Sequence, residues 1–388
     1  MTTTINNEQK KLNVPNLRFK EFEGEWKEER LADIADLYKG TGISKDQLSD
    51  DGEPCILYGE LYTKYKSETI REVISKTNIN NTKLVRSKAN DVIIPCSGET
   101  AEDIATARCV LNGNILLGGD LNIIRLHGYD GAFMSYQLNG RRKYDIAKVA
   151  QGVSVVHLYG EHLKGVKTIN PCLEEQKKIA KLLSLLDERI ATQNKIIEDL
   201  KKLKSAISKK LLCNDKWTTY KIQDIAEIGR GRVISSVEID RQKHPLYPVY
   251  SSQTSNDGIM GYLDSYMFDD EYITWTTDGA NAGTVFYRKG KFNCTNVCGT
   301  LKIQPKFDCY FVSLVLQQAT QKYVSSNLAN PKLMNNTMAS IKIRMPNIET
   351  QKQLSKVFQT LDSCLLVHQR TCKMYLSEKQ YLLCQMFI

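Results

Sequence analysis

One long helical pattern occurs twice in this chain of 388 residues, and it constrains the fold more than any other feature. From Pro171 to Leu212 apolar residues recur three and four positions apart, which is the heptad pattern of a helix that packs along one seam. The pattern returns without a gap 175 residues later, from Pro346 onwards. We predict that the seam of the two helices is formed by Ile179, Leu183, Leu186, Ile190, Ile197, Leu200, Ile207, Leu354, Phe358, Leu361, Leu365 and Leu382.

Both helices carry a lysine at the same seam position, Lys204 in the first and Lys379 in the second. A lysine buried in a seam costs stability but disfavours alternative alignments of the helices. We therefore expect that replacing both lysines by leucine raises the melting temperature.

A second repeat precedes each helix, at a constant offset of 191 residues. The residues Trp26, Asp33, Ile34, Ala35, Gly40, Ile43 and Ser44 recur as Trp217, Asp224, Ile225, Ala226, Gly231, Ile234 and Ser235. The offset falls to 175 before the helices, so the first divergent middle region is sixteen residues longer than the second (191 − 175). The order is thus domain, helix, domain, helix. We call the repeated residues at the start of each domain the frames, and the divergent regions that follow them the middles.

Two such halves most naturally pack about a pseudo-two-fold axis. This symmetry requires the long helices to run antiparallel, and it places Phe387, the equivalent of Leu212, beside Trp26. The predicted fold class is therefore α/β in the broad sense (α+β), with two globular domains in pseudo-two-fold repeat joined by two long antiparallel coiled-coil helices. The predicted segments are an N-terminal arm (1–25), a first domain (26–170), a first long helix (171–213), a second domain (214–345) and a second long helix (346–388).

The middles are expected to consist mostly of short strands, because β-branched and aromatic runs alternate there with Gly, Asn, Asp and Ser. The predicted strands are CILYGELY, DVIIPCS, GNILLGG, YPVYSS, EYITWTT, GTVFYRKG and GTLKIQP.

Composition favours an anionic partner, since Lys and Arg outnumber Asp and Glu by 53 to 44 and the net charge is +9. No apolar run is long enough to cross a membrane, and the polar N-terminus does not resemble a signal peptide, so we expect a cytoplasmic protein with no membrane partner. The eleven cysteines are scattered, which favours reduced thiols over a metal site. No phosphate-binding loop, nuclease motif or methyltransferase tetrapeptide occurs, and we predict no catalytic, cofactor-binding or metal-binding residues.

Binding of a DNA duplex requires cations for the phosphates and polar side chains that reach base edges. The middles offer polar segments at 62–65, 97–100, 251–256 and 278–283, and the paired positions Lys39/Arg230 and His157/Lys332 are phosphate candidates. The full set of DNA-binding candidates is Lys39, Thr41, Ser44, Lys45, Tyr62, Lys64, Tyr65, Ser97, Glu99, Thr100, His157, Arg230, Arg232, Ser235, Ser251, Gln253, Asn256, Asn281 and Lys332.

The whole chain resembles the specificity subunit of a type I restriction-modification system. The resemblance rests on the opening VPNLRFKEFEGEW, the paired Trp-(x)6-Asp-Ile-Ala frames, the Pro-x-x-Glu-x-Gln-x-x-Ile/Leu helix starts at Pro171 and Pro346, and the ending LLCQMFI. It implies two target-recognition domains, no catalytic site and a bipartite target in double-stranded DNA. It also implies two modification (methyltransferase) subunits and two restriction (translocase and nuclease) subunits as partners. These partners, rather than this chain, would bind S-adenosylmethionine, ATP and Mg²⁺.

Two alternatives stay open at this point. The chain could be a self-contained DNA methyltransferase or nuclease with unfamiliar motifs, in which case the purified chain would bind S-adenosylmethionine or cut DNA by itself. It could also be a structural coiled-coil scaffold, in which case it would bind no duplex with or without partners.

Overall fold

The structure is a computed structural model that describes residues 13–79, 83–152, 155–212, 215–325 and 330–388. Residues 1–12 of the predicted N-terminal arm lie outside the described residues. So do residues 213 and 214, where the predicted boundary between the first long helix and the second domain falls.

The chain forms two compact units. The first unit contains the described residues up to Lys195 together with Gln369–Ile388, and the second contains Ile196–His368. Each long helix therefore contributes one part to each unit.

The long helices have the same length, Leu173–Leu211 and Ile348–Met386. All predicted seam side chains are buried or half-buried, whereas most positions between them are exposed. Within the first unit, Asp187 contacts Lys379 and Asn194 contacts Cys372, so residue numbers rise along the first helix while they fall along the second. The two helix segments are therefore antiparallel, as predicted.

The first unit is built around a five-stranded sheet, with strands in the order Ala35–Lys39, Leu121–Leu126, Asp91–Pro95, Arg108–Val110 and Thr69–Ile70. A second sheet has the order Leu48–Ser49, Ser75–Thr77, Glu53–Ile56, Leu116–Leu117 and Val85–Arg86. The remaining strands are Lys27–Arg30, which pairs with Lys167–Asn170, and Ser97–Gly98, which pairs with Val156–His157. The shorter helices of this unit are Leu31–Ile34, Lys45–Gln47 (a 3₁₀ turn), Glu60–Thr63, Ala101–Ile104, Gly131–Asn139, Lys143–Val149 and Gly160–Lys164.

The second unit has a six-stranded sheet in the order Ala226–Arg230, Cys298–Ile303, Phe268–Thr276, Val285–Cys294, Tyr247–Tyr250 and Ile259–Leu263. A separate pair joins Thr218–Lys221 to Lys342–Met345. The shorter helices are Ile222–Ile225, Ser236–Asp240, Cys309–Ala319 and Asn335–Ser340, with 3₁₀ turns at Ser255–Gly258 and Thr320–Tyr323. The mixture of sheets and helices in both units confirms the predicted fold class.

One predicted strand is wrong in its second half. The segment CILYGELY was expected to be extended, but its last residues form the helix Glu60–Thr63. The Glu60 carboxylate accepts a hydrogen bond from the Leu57 amide at 3.1 Å, and the Lys64 amide donates to the Glu60 carbonyl at 2.9 Å. These local bonds satisfy backbone groups that a strand would have paired with a neighbour.

A network of hydrogen bonds attaches the start of the first long helix to the first unit. The Gln176 side chain donates to the Pro171 carbonyl at 2.8 Å and accepts from the Asp130 amide at 2.9 Å. The Asp130 carboxylate caps the helix Gly131–Asn139 by accepting from the Phe133 amide at 2.8 Å. The Phe133 ring packs edge-on against Trp26, with centroids 5.8 Å apart.

The second unit repeats this network. Gln351 donates to the Pro346 carbonyl at 2.8 Å and accepts from the Asp308 amide at 3.0 Å. Asp308 caps its helix through the Phe311 amide at 2.8 Å, and the Phe311 ring lies edge-on against Trp217 at 5.9 Å. The frames recur in the sequence because they build the same connection in each unit.

The C-terminal end of the chain packs against the predicted neighbour. Phe387 belongs to the same apolar cluster as Trp26, and its ring stacks on Phe133 at 5.1 Å. The Leu17 amide also donates to the Gln385 carbonyl at 2.9 Å. The pseudo-two-fold relation predicted the contact of Phe387 with this cluster.

The seam lysine of the second helix is held by two carboxylates of the first unit. The ammonium group of Lys379 lies 2.5 Å from Glu68 Oε2 and 2.6 Å from Asp187 Oδ1. Asp187 also accepts from the Tyr136 hydroxyl at 2.7 Å. Burial raises the pKa of Glu68, and the adjacent Lys379 opposes this shift.

The first helix places Lys204 beside Asp362 in the second unit, and Asp362 accepts from the Tyr310 hydroxyl at 2.5 Å. The two lysines are therefore ion-paired rather than stranded in an apolar seam. This finding reverses the expectation that leucine at both positions raises the melting temperature, because each substitution would leave a carboxylate without its cation.

Candidate nucleic-acid interface

In the second unit, two predicted phosphate candidates meet at one carboxylate. Arg230 Nη2 lies 3.6 Å from Asp278 Oδ2, and Lys332 Nζ lies 3.6 Å from Asp278 Oδ1. Arg230 also donates to the Thr277 hydroxyl at 2.9 Å and to the Asn296 carbonyl at 2.5 Å. We call Arg230, Thr277, Asp278 and Lys332 the Asp278 cluster.

In the first unit, the candidate that corresponds to Arg230 also lies beside a carboxylate. Lys39 Nζ lies 3.7 Å from Asp120 Oδ1, and the Ser97 hydroxyl donates to Asp120 Oδ2 at 3.4 Å. Ser97 is paired across a two-stranded sheet with His157, whose ring stacks on Tyr159. We call Lys39, Ser97, Asp120 and His157 the Asp120 cluster.

The two clusters occupy the same place in their sheets. Lys39 and Arg230 end the edge strands, and Ser97 and Asp278 follow the central strands Asp91–Pro95 and Phe268–Thr276. Backbone pairing of Ser97 with His157 matches that of Asp278 with Lys332.

The acidic residues, however, come from different positions. Asp278 follows the central strand itself, whereas Asp120 precedes the neighbouring strand Leu121–Leu126. Each unit thus places a cation beside a carboxylate, with Arg230 and Lys332 at Asp278 in the second unit and Lys39 at Asp120 in the first.

The cations in these clusters lie near a carboxylate without a close ion pair. The contacts of 3.6–3.7 Å from Arg230, Lys332 and Lys39 are longer than hydrogen bonds. The Lys39–Asp120 pair is exposed, and such pairs contribute about 0–1 kcal/mol, so an arriving phosphate can replace that carboxylate at small cost. Asp278 is half-buried, and Arg230 is also held by hydrogen bonds to Thr277 and Asn296. The clusters are therefore suited to binding a polyanion.

Polar segments of the divergent middles lie next to the clusters. In the second unit, the Asn281 side chain donates to the Ser252 carbonyl at 3.1 Å, which ties the loop after Asp278 to the segment 251–256. Within that segment, the Gln253 side chain donates to the Ile259 carbonyl at 2.5 Å, and Ser251 accepts from the Gln253 amide at 3.4 Å.

The candidates of the segment 62–65 differ in their surroundings. Burial raises the pKa of the Tyr62 hydroxyl. Lys64 is held by Glu60 at 2.6 Å. Glu99, in the loop after Ser97, is exposed.

Several candidates have structural roles instead. Tyr65 is buried in an apolar cluster and accepts a hydrogen bond from the Ile74 amide, so it presents no surface to DNA in this structure. Thr100 and Ser235 cap short helices by accepting from the amides two or three residues into the helix.

Other candidates are likewise engaged locally. Ser44 precedes the turn Lys45–Gln47 and its amide donates to the Gln47 side chain. The Thr41 hydroxyl accepts from the Val85 amide at 3.0 Å. Arg232 is paired with Glu238, and Asn256 donates weakly to the Ile259 carbonyl. Lys45 is exposed on the turn.

Sequence reasoning did not identify Asp120, Thr277 or Asp278 as parts of these clusters. The signal for Asp278 was present, since it opens the predicted polar segment 278–283 and lies beside two cationic candidates only once the strands pair. No offset links Asp120 to Asp278, because they are not equivalent residues.

Among the described residues, no three His, Cys, Asp or Glu side chains gather closely enough to hold a metal ion. No helix in that part of the chain is long and apolar enough to cross a membrane.

Comparison with known proteins identifies the family. The family model "Type I restriction modification DNA specificity domain" matches residues 23–202 and 214–373. A Mycoplasma pneumoniae protein named as type I specificity subunit S.MpnORF201P is 39% identical over 190 residues, which cover 48% of this chain and 79% of the relative. The MpnII specificity subunit of the same organism is 42% identical over 145 residues, which cover 37% of this chain and 43% of the relative.

A solved structure agrees on the fold. The type I restriction-modification S subunit from M. genitalium superposes with a TM-score of 0.72 at 18% identity, covering 97% of this chain and 99% of that chain. Two matched domains, each followed by a long helix, account for most of the sequence. The chain belongs to the family of type I restriction-modification DNA specificity subunits.

Proposed function

We propose that this chain reads a bipartite target in double-stranded DNA, with one half-site read by each unit. The observation that carries the proposal is a cation beside a carboxylate at equivalent sheet positions in two units whose adjoining segments differ. Equivalent phosphate contacts would position both units alike, and the unlike segments would read different bases. The net charge of +9 favours the same polyanionic partner.

The chain acts in this proposal as a non-catalytic adaptor. Two modification subunits would use S-adenosylmethionine, and two restriction subunits would use ATP and Mg²⁺. The name of one relative, a specificity subunit of a type I restriction enzyme, supports the presence of partner subunits. This chain would bind none of these cofactors, and the complex would work in the cytoplasm, where the chromosome and the cofactors are found.

The test is to coexpress the chain with its modification subunit in a host that lacks other adenine methylation, and to map methylated adenines across the genome. A single bipartite motif with two unlike halves is expected. Methylation or cleavage by the purified chain alone would instead establish an enzyme. A complex that methylates without any sequence preference would refute the proposed reading of DNA.

A binding measurement tests the clusters directly. Replacing both Arg230 and Lys332 by alanine is expected to weaken binding to all sequences and to reduce the salt slope by about 1 for each lost phosphate contact. Lys289→Ala is the matched control, since Lys289 is exposed and paired with Glu271 at 3.0 Å, roughly 20 Å along the strand from Asp278. An equal loss in both variants would show only a general charge effect.

A further inference from the structure

Each unit contains a buried arginine on the equivalent strand of its sheet. Arg108 begins the strand that pairs with one side of Asp91–Pro95, and Arg288 lies on the strand that pairs with the same side of Phe268–Thr276. Their residues are only 9% and 4% exposed. Neither arginine belongs to the clusters described above.

Arg288 is fixed by contacts on all sides of its guanidinium group. It lies over the Tyr250 ring at 3.6 Å and over the Phe286 ring at 4.4 Å. It donates to the Thr274 hydroxyl at 3.3 Å. It also donates to Asp257 twice, to the carboxylate at 3.0 Å and to the backbone carbonyl at 2.9 Å.

The segment that Arg288 holds has an unusual backbone. Asn256 and Asp257 have φ values of 49° and 54°, and Gly258 follows with 81°. Asn and Asp adopt the left-handed conformation more readily than other non-glycine residues, but usually singly, so two in succession gain from external support. The two bonds from Arg288 to Asp257 provide that support, while Asn256 and Thr254 beside it stay exposed.

In the first unit, Arg108 holds the backbone of the segment that contains Tyr62 and Lys64. Its Nε donates to the Leu61 carbonyl at 3.1 Å and its Nη2 to the Tyr65 carbonyl at 3.0 Å. These carbonyls lie in and just after the helix Glu60–Thr63, on either side of Tyr62 and Lys64. Arg108 therefore sets the position of that helix without depending on its side chains.

In the second unit the held segment adjoins the Asp278 cluster, because Asn281 connects the segment 251–256 to the loop after Asp278. The segments differ in sequence and in secondary structure, one being a 3₁₀ turn and the other an α-helix. The two segments share only their means of support, which is a buried guanidinium group on the equivalent strand of each sheet.

We propose that Arg108 and Arg288 are positioning residues that set the conformation of the base-reading segment in their own unit, an inference that rests on the proposed function. The segment 251–256 and Tyr62 would contact base edges, while the arginines would not touch DNA.

A purely structural role would be served better by an apolar side chain. Taking a guanidinium group out of water is costly, and burial lowers the pKa of both Arg108 and Arg288. An arginine is useful at such a place because its planar set of donors can hold two backbone or carboxylate oxygens at a fixed geometry. The oxygens that the two arginines hold belong to Leu61, Tyr65 and Asp257, beside the candidates Tyr62 and Asn256.

The experiment maps adenine methylation directed by the chain together with its modification subunit. Arg108→Met and Arg288→Met keep an unbranched stem as far as the position of Nε and remove the donors. Their matched controls are Arg86→Met, an exposed arginine paired with Glu53, and Lys289→Met. Folding of each variant is checked by hydrogen exchange.

Each arginine variant is expected to change base preference in one half of the motif only. Charge-assisted hydrogen bonds of this kind shift a population by about tenfold or more, so methylation at the original half-site should fall by at least that factor relative to the best altered half-site. The other half of the motif is an internal control in the same molecule. Both control variants should give the wild-type motif.

Milder variants decide the matter if a methionine variant does not fold. Asp257→Gly removes the carboxylate and suits the left-handed backbone, and Arg108→Lys keeps the charge but loses the paired donors. A changed half-motif in these variants supports the proposal. A motif that stays the same, with methylation lowered equally at all sites or not lowered, overturns it. A wild-type chain that directs no bipartite motif would refute the proposed function itself.

Discussion

The two seam lysines make a matched pair for one quantitative prediction. The side chains of Lys379, Glu68 and Asp187 are only 12%, 11% and 8% exposed, whereas those of Lys204 and Asp362 are 25% and 39% exposed. Removing one partner of a buried ion pair costs about 3–5 kcal/mol, because the remaining charge stays desolvated. The more exposed pair contributes about 0–1 kcal/mol after solvent screening.

We therefore predict that Lys379→Leu destabilises the first unit by about 3–5 kcal/mol, which corresponds to a fall of roughly 6–20 °C in melting temperature for a unit of this size. Lys204→Leu should change the stability of the second unit by no more than about 1 kcal/mol. Hydrogen exchange with mass spectrometry measures the two effects separately, since peptides from each unit report its own opening.

The dependence on pH tests the cause. Leucine removes the cation that opposes the raised pKa of Glu68, so this pKa should rise further in the variant. A carboxyl group with a raised folded-state pKa destabilises the protein only where it would be ionised in the unfolded chain. The penalty is absent below about pH 4, where unfolded Glu is protonated, and is complete above the raised pKa. The deficit of Lys379→Leu should therefore be smaller at pH 5 than at pH 8.

Two outcomes would refute this reasoning. A variant as stable as the wild type at pH 8 would mean that Lys379 contributes nothing beyond what Leu supplies by packing. A deficit that does not change between pH 5 and pH 8 would mean that lost packing, rather than an uncompensated Glu68, is the cause. The triple variant with Glu68→Gln and Asp187→Asn should recover much of the stability in either solution.

Further predictions concern the helix start, the Asp278 cluster and the connectivity. Gln176→Leu should lower the free energy of unfolding of the first unit by about 1–3 kcal/mol in chemical denaturation, because the Asp130 amide and the Pro171 carbonyl lose their hydrogen-bond partner. Asp278→Asn should raise non-specific DNA affinity by at most about tenfold in a filter-binding titration, since it removes the charge that competes with phosphate; unchanged affinity would contradict that role. A circular permutant that joins Ile388 to the residues before Trp26 and opens after Leu212 should direct methylation to the original target, and a folded permutant without that methylation would count against it.

Much of the fold could be predicted because it depends on residues that pack in a periodic or repeated way. The heptad spacing reflects which positions of a helix are buried. The frames recur because Trp26 and Trp217 pack against equivalent phenylalanine rings, Phe133 and Phe311, each at the start of a capped helix. Such signals are local in sequence or repeated at one offset. They therefore survive in a single sequence without any alignment.

The clusters were harder to predict, because they are assembled by strand pairing. Lys39, Ser97, Asp120 and His157 come from four separate segments that meet only when the sheet forms. Each of these residues, taken alone, is of a type that is common on any polar protein surface. The cationic members could be nominated because they recur at equivalent positions, but the carboxylate that organises them does not recur.

Tyr136 and Tyr310 make the same contact in the two units, although no constant sequence offset relates them. Both hydroxyls donate to the equivalent carboxylates Asp187 and Asp362, at 2.7 and 2.5 Å. Counted from the capping aspartate of its helix, Tyr136 is the sixth residue and Tyr310 is the second. Residues four apart lie on the same face of a helix, one turn from each other, so either position can reach the long helix. The bond to the aspartate is therefore common to both units although the tyrosine position is not, and a search for equivalent residues has to follow faces of elements rather than a fixed offset.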